Sequence, residues 1–229
     1  MAAVGRTNMD RQFVSYPKSG RSWIRYVLHL LGLESKIRFH HDGCEFSDPS
    51  KPPLALDFAA RLRMYANAGR IVYLRRDPRD VMVSLYFQIK GRMRDVFDFK
   101  GDISTFIRDD YFGAANLLEF DKQWRELCRR GFALCISYEE CHENLEGVIR
   151  RVLTWYEFDV SDRVLRAACD AASFQNMREV ELSGEFGQAW LQPRNEATKT
   201  RRGVVGGYLD HFSAADIAFL ENLTPAIGA

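Results

Sequence analysis

The segment Gln12-Phe13-Val14-Ser15-Tyr16-Pro17-Lys18-Ser19-Gly20-Arg21-Ser22-Trp23 decides how this 229-residue chain is read. Its first five residues form a short apolar run stopped by Pro17, which suits a buried strand. Pro17 to Ser22 is polar and holds one glycine. Beyond it, Trp23, Val27, Leu30 and Leu31 recur at i, i+4, i+7 and i+8, the period of an amphipathic helix. A helix N-terminus carries unpaired N–H groups and the positive end of the helix dipole, so a loop placed there suits a phosphate. Gly20 lets the backbone approach closely. Lys18 and Arg21 add charge, and Ser19 and Ser22 add hydroxyl donors. Taken alone, the same residues also fit a plain strand–turn–helix corner with a capping serine. The loop is not that of the nucleoside-triphosphate enzymes, because the first glycine is missing and the lysine precedes Gly20.

Working outward, Ile37 to His40 reads as a second strand. Residues 47–53, with three prolines, read as a loop, and Leu56 to Ala68 as a helix. Arg70 to Leu74 is the clearest buried strand, and Pro78 suits the first turn of a helix continued by Val81, Leu85 and Gln88. Leu117, Phe120, Trp124 and Leu127 mark another helix, Phe132 to Ser137 a strand, and Leu145 to Tyr156 a strong helical stripe. Helical patterns run on to about Leu182. Residues 183–207 read as a long loop of the kind that is functional or mobile, and Ser213 as the cap of a last helix through Leu220. Strands alternating with helices predict a single α/β domain over 1–229, with a central parallel β-sheet flanked by helices and an N-terminal extension at 1–10. Ligands bind such sheets at the carboxyl ends of the strands, where segments 17–22, 41–42 and 75–77 fall.

Composition narrows the function. Lys and Arg number 32 against 31 Asp and Glu, a net charge of +1, which argues against coating nucleic acid. Seven lysines stand against 25 arginines, so local clusters of planar phosphate-gripping forks matter more than the total. Cys44, Cys128, Cys135, Cys141 and Cys169 are odd in number and scattered, which suits a reducing compartment and neither a disulfide framework nor a zinc site. No run of 18 apolar residues is present, and Met1 to Asp10 lacks a signal-peptide core. A cytoplasmic protein with no membrane or nucleic-acid partner is expected, and its oligomeric state is left open.

Tyr16 to Trp23 closely resembles Y-P-K-S-G-T-[TS]-W, the 5′-phosphosulfate loop of sulfotransferases that use 3′-phosphoadenosine 5′-phosphosulfate (PAPS); only Arg21 departs from it. Val72 to Ser84 looks like that family's second signature, R-[DN]-P-x-D-V-x-V-S, which places Arg76 and Ser84 on the 3′-phosphate, with Asp80 holding an arginine or the turn. Arg201 to Tyr208 is similar to the late R-[KR]-G-x-x-G motif, which implies a clasp by Arg201, Arg202 and Gly203. Tyr138 resembles the tyrosine of Y-E-[DE], near the nucleotide. Ser173, Phe174 and Met177 resemble S-F-x-x-M, which lines the adenine beside Trp23. Phe39-His40-His41-Asp42-Gly43 looks like the segment that carries the catalytic histidine, with His41 on that position.

The resemblance implies a P-loop NTPase-like sulfotransferase fold and an enzyme that moves sulfuryl from PAPS to a hydroxyl or amine, leaving adenosine 3′,5′-diphosphate, with no metal. His41 would be the base. Lys18 would hold the bridging oxygen, and Ser19, Gly20, Arg21 and Ser22 the 5′-phosphate. The acceptor would be a small molecule or a glycan. Phe46, Tyr86, Phe87, Tyr111, Phe112 and Trp190 are acceptor-side candidates by loop position alone, while Arg92 and Arg94 fit either an anionic acceptor or a solvated face. Only 17 residues separate Trp23 from His41, so the acceptor-covering segments are trimmed, and the family's C-terminal dimer motif is absent. The rival readings are a P-loop nucleotide kinase and a non-catalytic nucleotide-binding module.

Overall fold

The computed structural model describes residues 10–51 and 56–228; residues 1–9 of the expected extension and the Pro52-Pro53 pair lie outside the described residues. Four parallel strands, β1 (Arg11–Ser15), β2 (Arg38–His40), β3 (Arg70–Arg75) and β4 (Ala133–Ser137), form one sheet in the order β2-β1-β3-β4. Because alternate side chains point to opposite faces of a strand, the sheet feeds two cores. Val14, Ile71 and Tyr73 pack on one face with Trp124 and Phe106. Phe13, Val72, Leu74 and Ile136 pack on the other with Val27, Ile149 and Tyr156. Buried on both faces, β1 and β3 are the near-continuous apolar runs that a parallel sheet needs.

The helices α1 (Arg21–Leu30), α2 (Phe58–Tyr65), α3 (Pro78–Phe87), α4 (Ile103–Ile107), α5 (Ala114–Arg129), α6 (Tyr138–Tyr156), α7 (Asp162–Ala171), α8 (Phe174–Ser183) and α9 (Ala214–Gly228) cover the sheet. Their starts follow local chemistry. Asp77 accepts from the Arg79 N–H at 2.9 Å, with Pro78 in the first turn. Ser137 and Glu140 form a capping box, so α6 opens at Tyr138, earlier than the apolar stripe from Leu145 suggests. It kinks at Asn144. A single π turn, Gln88–Arg92, follows α3. No described helix is long and apolar enough to cross a membrane.

The chain leaves β1 toward β2 on one side and reaches β3 on the other, so the carboxyl ends of β1 and β3 flank the point where strand order reverses. Loops that leave such neighbouring strands diverge and open a crevice.

Candidate active site

The loop after β1 is held in an unusual shape. Lys18 has φ +72° and Gly20 φ +99°. A positive φ at a lysine is a sparsely populated conformation that surrounding contacts must enforce. At Gly20 a Cβ would collide with the Tyr138 ring, so both the angle and the close approach demand glycine. Trp23 fixes the helix start from the other side, donating from Nε1 to Ala172 O at 2.7 Å.

Arg76 leaves the end of β3 and joins three segments. Its Nη1 donates to Lys18 O at 3.3 Å, its Nη2 to Val204 O at 3.0 Å, and its guanidinium lies over the Tyr138 ring, 4.1 Å from the centroid. Asp80, one turn into α3, accepts from Gly206 N at 2.8 Å and Tyr208 N at 3.0 Å, and sits 3.7 Å from Arg76. The hydrogen bonds of Asp80 thus run to the late turn at Gly206 and Tyr208, a partner not among the two expected for it. Gly203 (φ +64°) runs against Phe174 so closely that a Cβ would overlap the ring. The long segment after α8, expected to be a mobile loop covering a nucleotide or acceptor over 183–207, hydrogen-bonds to α8 and to the π turn. The Glu181 carboxylate accepts from Lys199 N, from Thr200 N at 2.8 Å and from the Thr200 hydroxyl at 2.6 Å. Arg92 donates to Gln192 O at 2.8 Å and Ala197 O at 3.2 Å.

The two adjacent histidines separate cleanly. His40 uses both ring nitrogens: Nδ1 accepts from Asp42 N at 3.2 Å, so Nε2 carries the hydrogen and donates to Gln12 Oε1 at 3.0 Å. His41 uses Nδ1 alone, 2.7 Å from Ser15 O. A carbonyl only accepts, so Nδ1 holds the hydrogen and Nε2 keeps its lone pair. His41 N donates to Glu45 Oε1 at 2.9 Å, which fixes the backbone at the turn.

These pieces line one open cleft, about 1090 Å³ when the solvent at its mouth is included. Lys18, Gly20, Arg21, Ser22 and Trp23 line it from the turn after β1 and the start of α1, and His41 from the end of β2. Arg76 and Ser84 line it from mid-chain, and Tyr138, Phe174, Met177, Arg201, Arg202 and Gly203 from late segments. Two expected residues do not line it. Ser19 is buried behind the loop, 2% exposed. The Ser173 hydroxyl caps α8 by accepting from Asn176 N at 3.2 Å. Lys199, Thr200, Gln88 and His142 line it without having been singled out from sequence. His142 packs its ring 4.6 Å from Tyr138 and 5.0 Å from Trp23.

The acceptor-side aromatics are elsewhere. Phe46 and Phe112 are each 6% exposed in the core, with Tyr111, Tyr86 and Phe87 packed around that core. Trp190 lies under Arg25, whose guanidinium is 4.6 Å from its centroid. Arg94 is exposed beside Glu196.

Six cations, Lys18, Arg21, Arg76, Lys199, Arg201 and Arg202, and one carboxylate, Asp80, line the cavity. Burial, then the neighbouring Arg92 and Arg76, lowers the Lys18 ammonium to about 7. Burial, then Lys18 and Arg21, lowers Lys199 to about 7. Burial, then Arg25, lowers Arg21 to about 10. Burial, then Arg21, holds His41 well below its usual 6.5. Arg21 Nη1 and Arg76 Nε are buried without a hydrogen-bond partner. Unpaired guanidinium N–H groups beside lysines that repel one another fit a ligand carrying several negative charges. Among the described residues no group of three His, Cys, Asp or Glu is placed to hold a metal ion.

A family model described as the sulfotransferase domain matches residues 59–225; the Lys18 loop and His41 precede that span. Sulfotransferase 2B1 of Rattus norvegicus is 26% identical over 229 residues, covering 90% of this chain and 67% of that protein. Amine sulfotransferase of Oryctolagus cuniculus is 24% identical over 229 residues, covering 87% and 74%. Among solved structures, mouse sulfotransferase SULT7A1 complexed with PAP superposes with a TM-score of 0.69 at 17% identity, covering 96% of this chain and 84% of that one. Retinol dehydratase in complex with androsterone and inactive cofactor PAP gives 0.68 at 16%, covering 97% and 81%. Likeness at that identity speaks for the fold.

Proposed function

This chain belongs to the sulfotransferase family, and from that premise we propose that its cavity grips the co-substrate PAPS between the Lys18 loop and the Arg76 turn while His41 activates the acceptor. It is a transferase enzyme, and PAPS is its sulfuryl donor. The observation that carries the site assignment is the cation surplus: six positive side chains against one carboxylate, with two buried guanidinium N–H groups unpaired.

PAPS supplies the sulfuryl group and departs as adenosine 3′,5′-diphosphate. Every other task falls to the chain. Arg76, Ser84, Arg201, Arg202 and the Gly203 backbone take the 3′-phosphate end, and Asp80 keeps the late turn closed over it. Trp23, Tyr138, Phe174 and Met177 give the base an apolar wall. Gly20, Arg21 and Ser22 hold the 5′-phosphate. Lys18 neutralises charge that develops on the leaving oxygen, a fixed electrostatic contribution of the kind that dominates group transfer. His41 removes the acceptor proton at Nε2. Its lowered pKa keeps it neutral at pH 7, and the Nδ1–H bond to Ser15 O aims the free lone pair. The acceptor is a small molecule or a glycan bearing a hydroxyl or an amine. The cytoplasm is the compartment that suits five unpaired thiols.

Calorimetry with adenosine 3′,5′-diphosphate against ATP tests the nucleotide assignment. The bisphosphate is expected to bind more tightly, without added Mg²⁺, and to raise the melting temperature. Equal or preferred binding of ATP would overturn it. Labelled PAPS with His41→Ala tests the base: nucleotide binding is expected to survive and turnover to be lost. Transfer at the wild-type rate would remove His41 from the mechanism.

A further inference from the structure

Strand β4 is an edge of the sheet, and with α5 it lines an open groove that holds two thiols, Cys128 and Cys135. The connection between them is tight. Gly131 N donates to Cys128 O at 2.9 Å and Phe132 N to Leu127 O at 3.0 Å, so the chain closes α5 and turns straight into β4. Cys128 and Cys135 then pack against the same core cluster, on the face of the sheet that carries Tyr73. In register, Tyr73 lies opposite Cys135 and Arg75 opposite Ser137. Side chains two apart share a face, so Arg75 is the diagonal neighbour of Cys135. It lines the same groove, with Asp121 at 3.7 Å from its Nε.

The two thiols are hydrogen-bond partners. That bond, with burial, raises the Cys128 thiol. The same bond, with Arg75 and against burial, lowers Cys135. The remaining cysteines are placed differently. Cys44 is 4% exposed and Cys141 1%. Cys169 is half-buried, and the thiol near it is the sealed Cys141. Cys128 and Cys135 are both half-buried, both open to the groove and in contact with each other.

We propose that Cys128 and Cys135 are a modification site, a thiol pair that a peroxide converts reversibly to an intramolecular disulfide. A thiolate is the attacking species, and Cys135, beside the Cys128 S–H and Arg75, is the attacker. Its sulfur takes one oxygen of hydrogen peroxide, the O–O bond breaks, and the departing hydroxide leaves as water with the thiol proton. Cys135 is now a sulfenic acid. The Cys128 sulfur attacks the Cys135 sulfur, the S–O bond breaks, and the second hydroxide leaves as water with the Cys128 proton. Two thiols lose two electrons, and peroxide gains them as two waters form. Two equivalents of a small thiol restore both cysteines and leave as its own disulfide. In a reducing compartment such a bond is transient and belongs to a redox-responsive pair, not to a structural staple. Neither cysteine is among the residues that line the nucleotide cleft, so the pair does not depend on the PAPS reading.

The test uses the full chain and hydrogen peroxide. In denaturant the reduced protein should show five reactive thiols and the oxidised protein two fewer, with dithiothreitol restoring all of them. Mass spectrometry should find Cys128 linked to Cys135 within one chain, lighter by two hydrogen atoms. In Cys128→Ser the sulfenic acid on Cys135 has no thiol to resolve it. Dimedone should then label Cys135, and a sulfinic acid should follow on longer exposure, while the wild type stays largely unlabelled. The proposal is overturned if peroxide that oxidises free glutathione leaves all five thiols intact. It is also overturned if the linked pair is Cys141 with Cys169 or joins two chains. Equal dimedone labelling of Cys135 in wild type and Cys128→Ser would overturn it too, because Cys128 would then resolve nothing.

Discussion

Two clusters of charge, one buried and one half-buried, lie on either side of His41, and they are built on opposite principles. Behind it, Asp42 is 4% exposed and Arg61 2%, and each is matched. Asp42 accepts from Arg61 Nε at 2.7 Å, from Trp124 Nε1 at 3.1 Å and from the Tyr65 hydroxyl, while Arg61 also donates to the Gln123 side-chain carbonyl. In front of it, Lys18, Arg21, Arg76, Lys199 and Arg201 face one another across the cavity with Asp80 already bonded to the late turn. A cluster that satisfies itself fixes geometry, here the turn that carries His41. A cluster that repels itself costs the fold stability, which a bound polyanion offsets. Charge alone does not mark a binding site. Charge without an internal partner does.

Four substitutions and a pH series can break that contrast. His41→Ala is expected to lower kcat by about 10²–10⁴-fold, the range for loss of a general base, with the dissociation constant of adenosine 3′,5′-diphosphate unchanged by calorimetry. Loss of nucleotide binding as well would mean that His41 belongs to the clamp.

Arg61→Met leaves the Asp42 carboxylate buried beside a hydrocarbon chain. A loss of about 3–5 kcal/mol in urea unfolding is expected, with partial recovery in the Asp42→Asn/Arg61→Met double variant. A single variant as stable as wild type would show that the satisfied cluster is not what holds this corner. Lys18→Met probes the opposite cluster. Its kcat is expected to fall by about 10²–10³-fold, as for loss of one preorganised donor, and its nucleotide affinity should weaken too. Yet the ligand-free protein should melt at a higher temperature than wild type, because one repelling cation is gone. A lower melting temperature would remove the repulsion on which the contrast depends.

Much of this arrangement is legible in the sequence because the fold and the site share the same residues. The apolar run 12–16 and the polar turn 17–22 predict both β1 and a phosphate-suited loop, and Arg70 to Leu74 with Pro78 predicts β3 and its turn. The strands lie side by side in parallel, so the two turns meet. Their loops then fall on one cavity without further instruction. Other features of the structure leave no local trace in the sequence. Phe46 and Phe112 sit in loops, and nothing local reveals that a loop aromatic is claimed by the core. Neither the burial of Ser19 nor the capping bond that the Ser173 hydroxyl accepts from Asn176 N is marked by the residues around them. Helix α4, five residues long, is too short to show a period. Lys199 lies in an aperiodic stretch and reaches the cavity through the bonds that its backbone and Thr200 make to Glu181, 18 and 19 residues earlier, a pairing with no sequence signal.

The smallest expected effect is also the one that reads the repelling cluster most directly. Lys18 and Lys199 each titrate near 7 in the folded protein instead of near 10.5. Between those values the unfolded chain binds more protons than the folded one, so the lysines make the ligand-free protein gain stability as pH rises from about 7 toward 10.5. Nucleotide binding should run the other way. A polyanion raises both ammonium pKa values, so binding takes up protons, and affinity for adenosine 3′,5′-diphosphate should fall as pH climbs above 7. Calorimetry at pH 8 in buffers of different ionisation enthalpy reads the proton count directly. His41 supplies the internal control. Held below 6.5 by burial and Arg21, it stays neutral through this range, so the acid limb of kcat/KM should lie below pH 6.5 and leave the alkaline weakening to the lysines. Binding at pH 8 without proton uptake would mean that the two lysines are already fully charged in the ligand-free protein, and the contrast between the two clusters would lose its electrostatic basis.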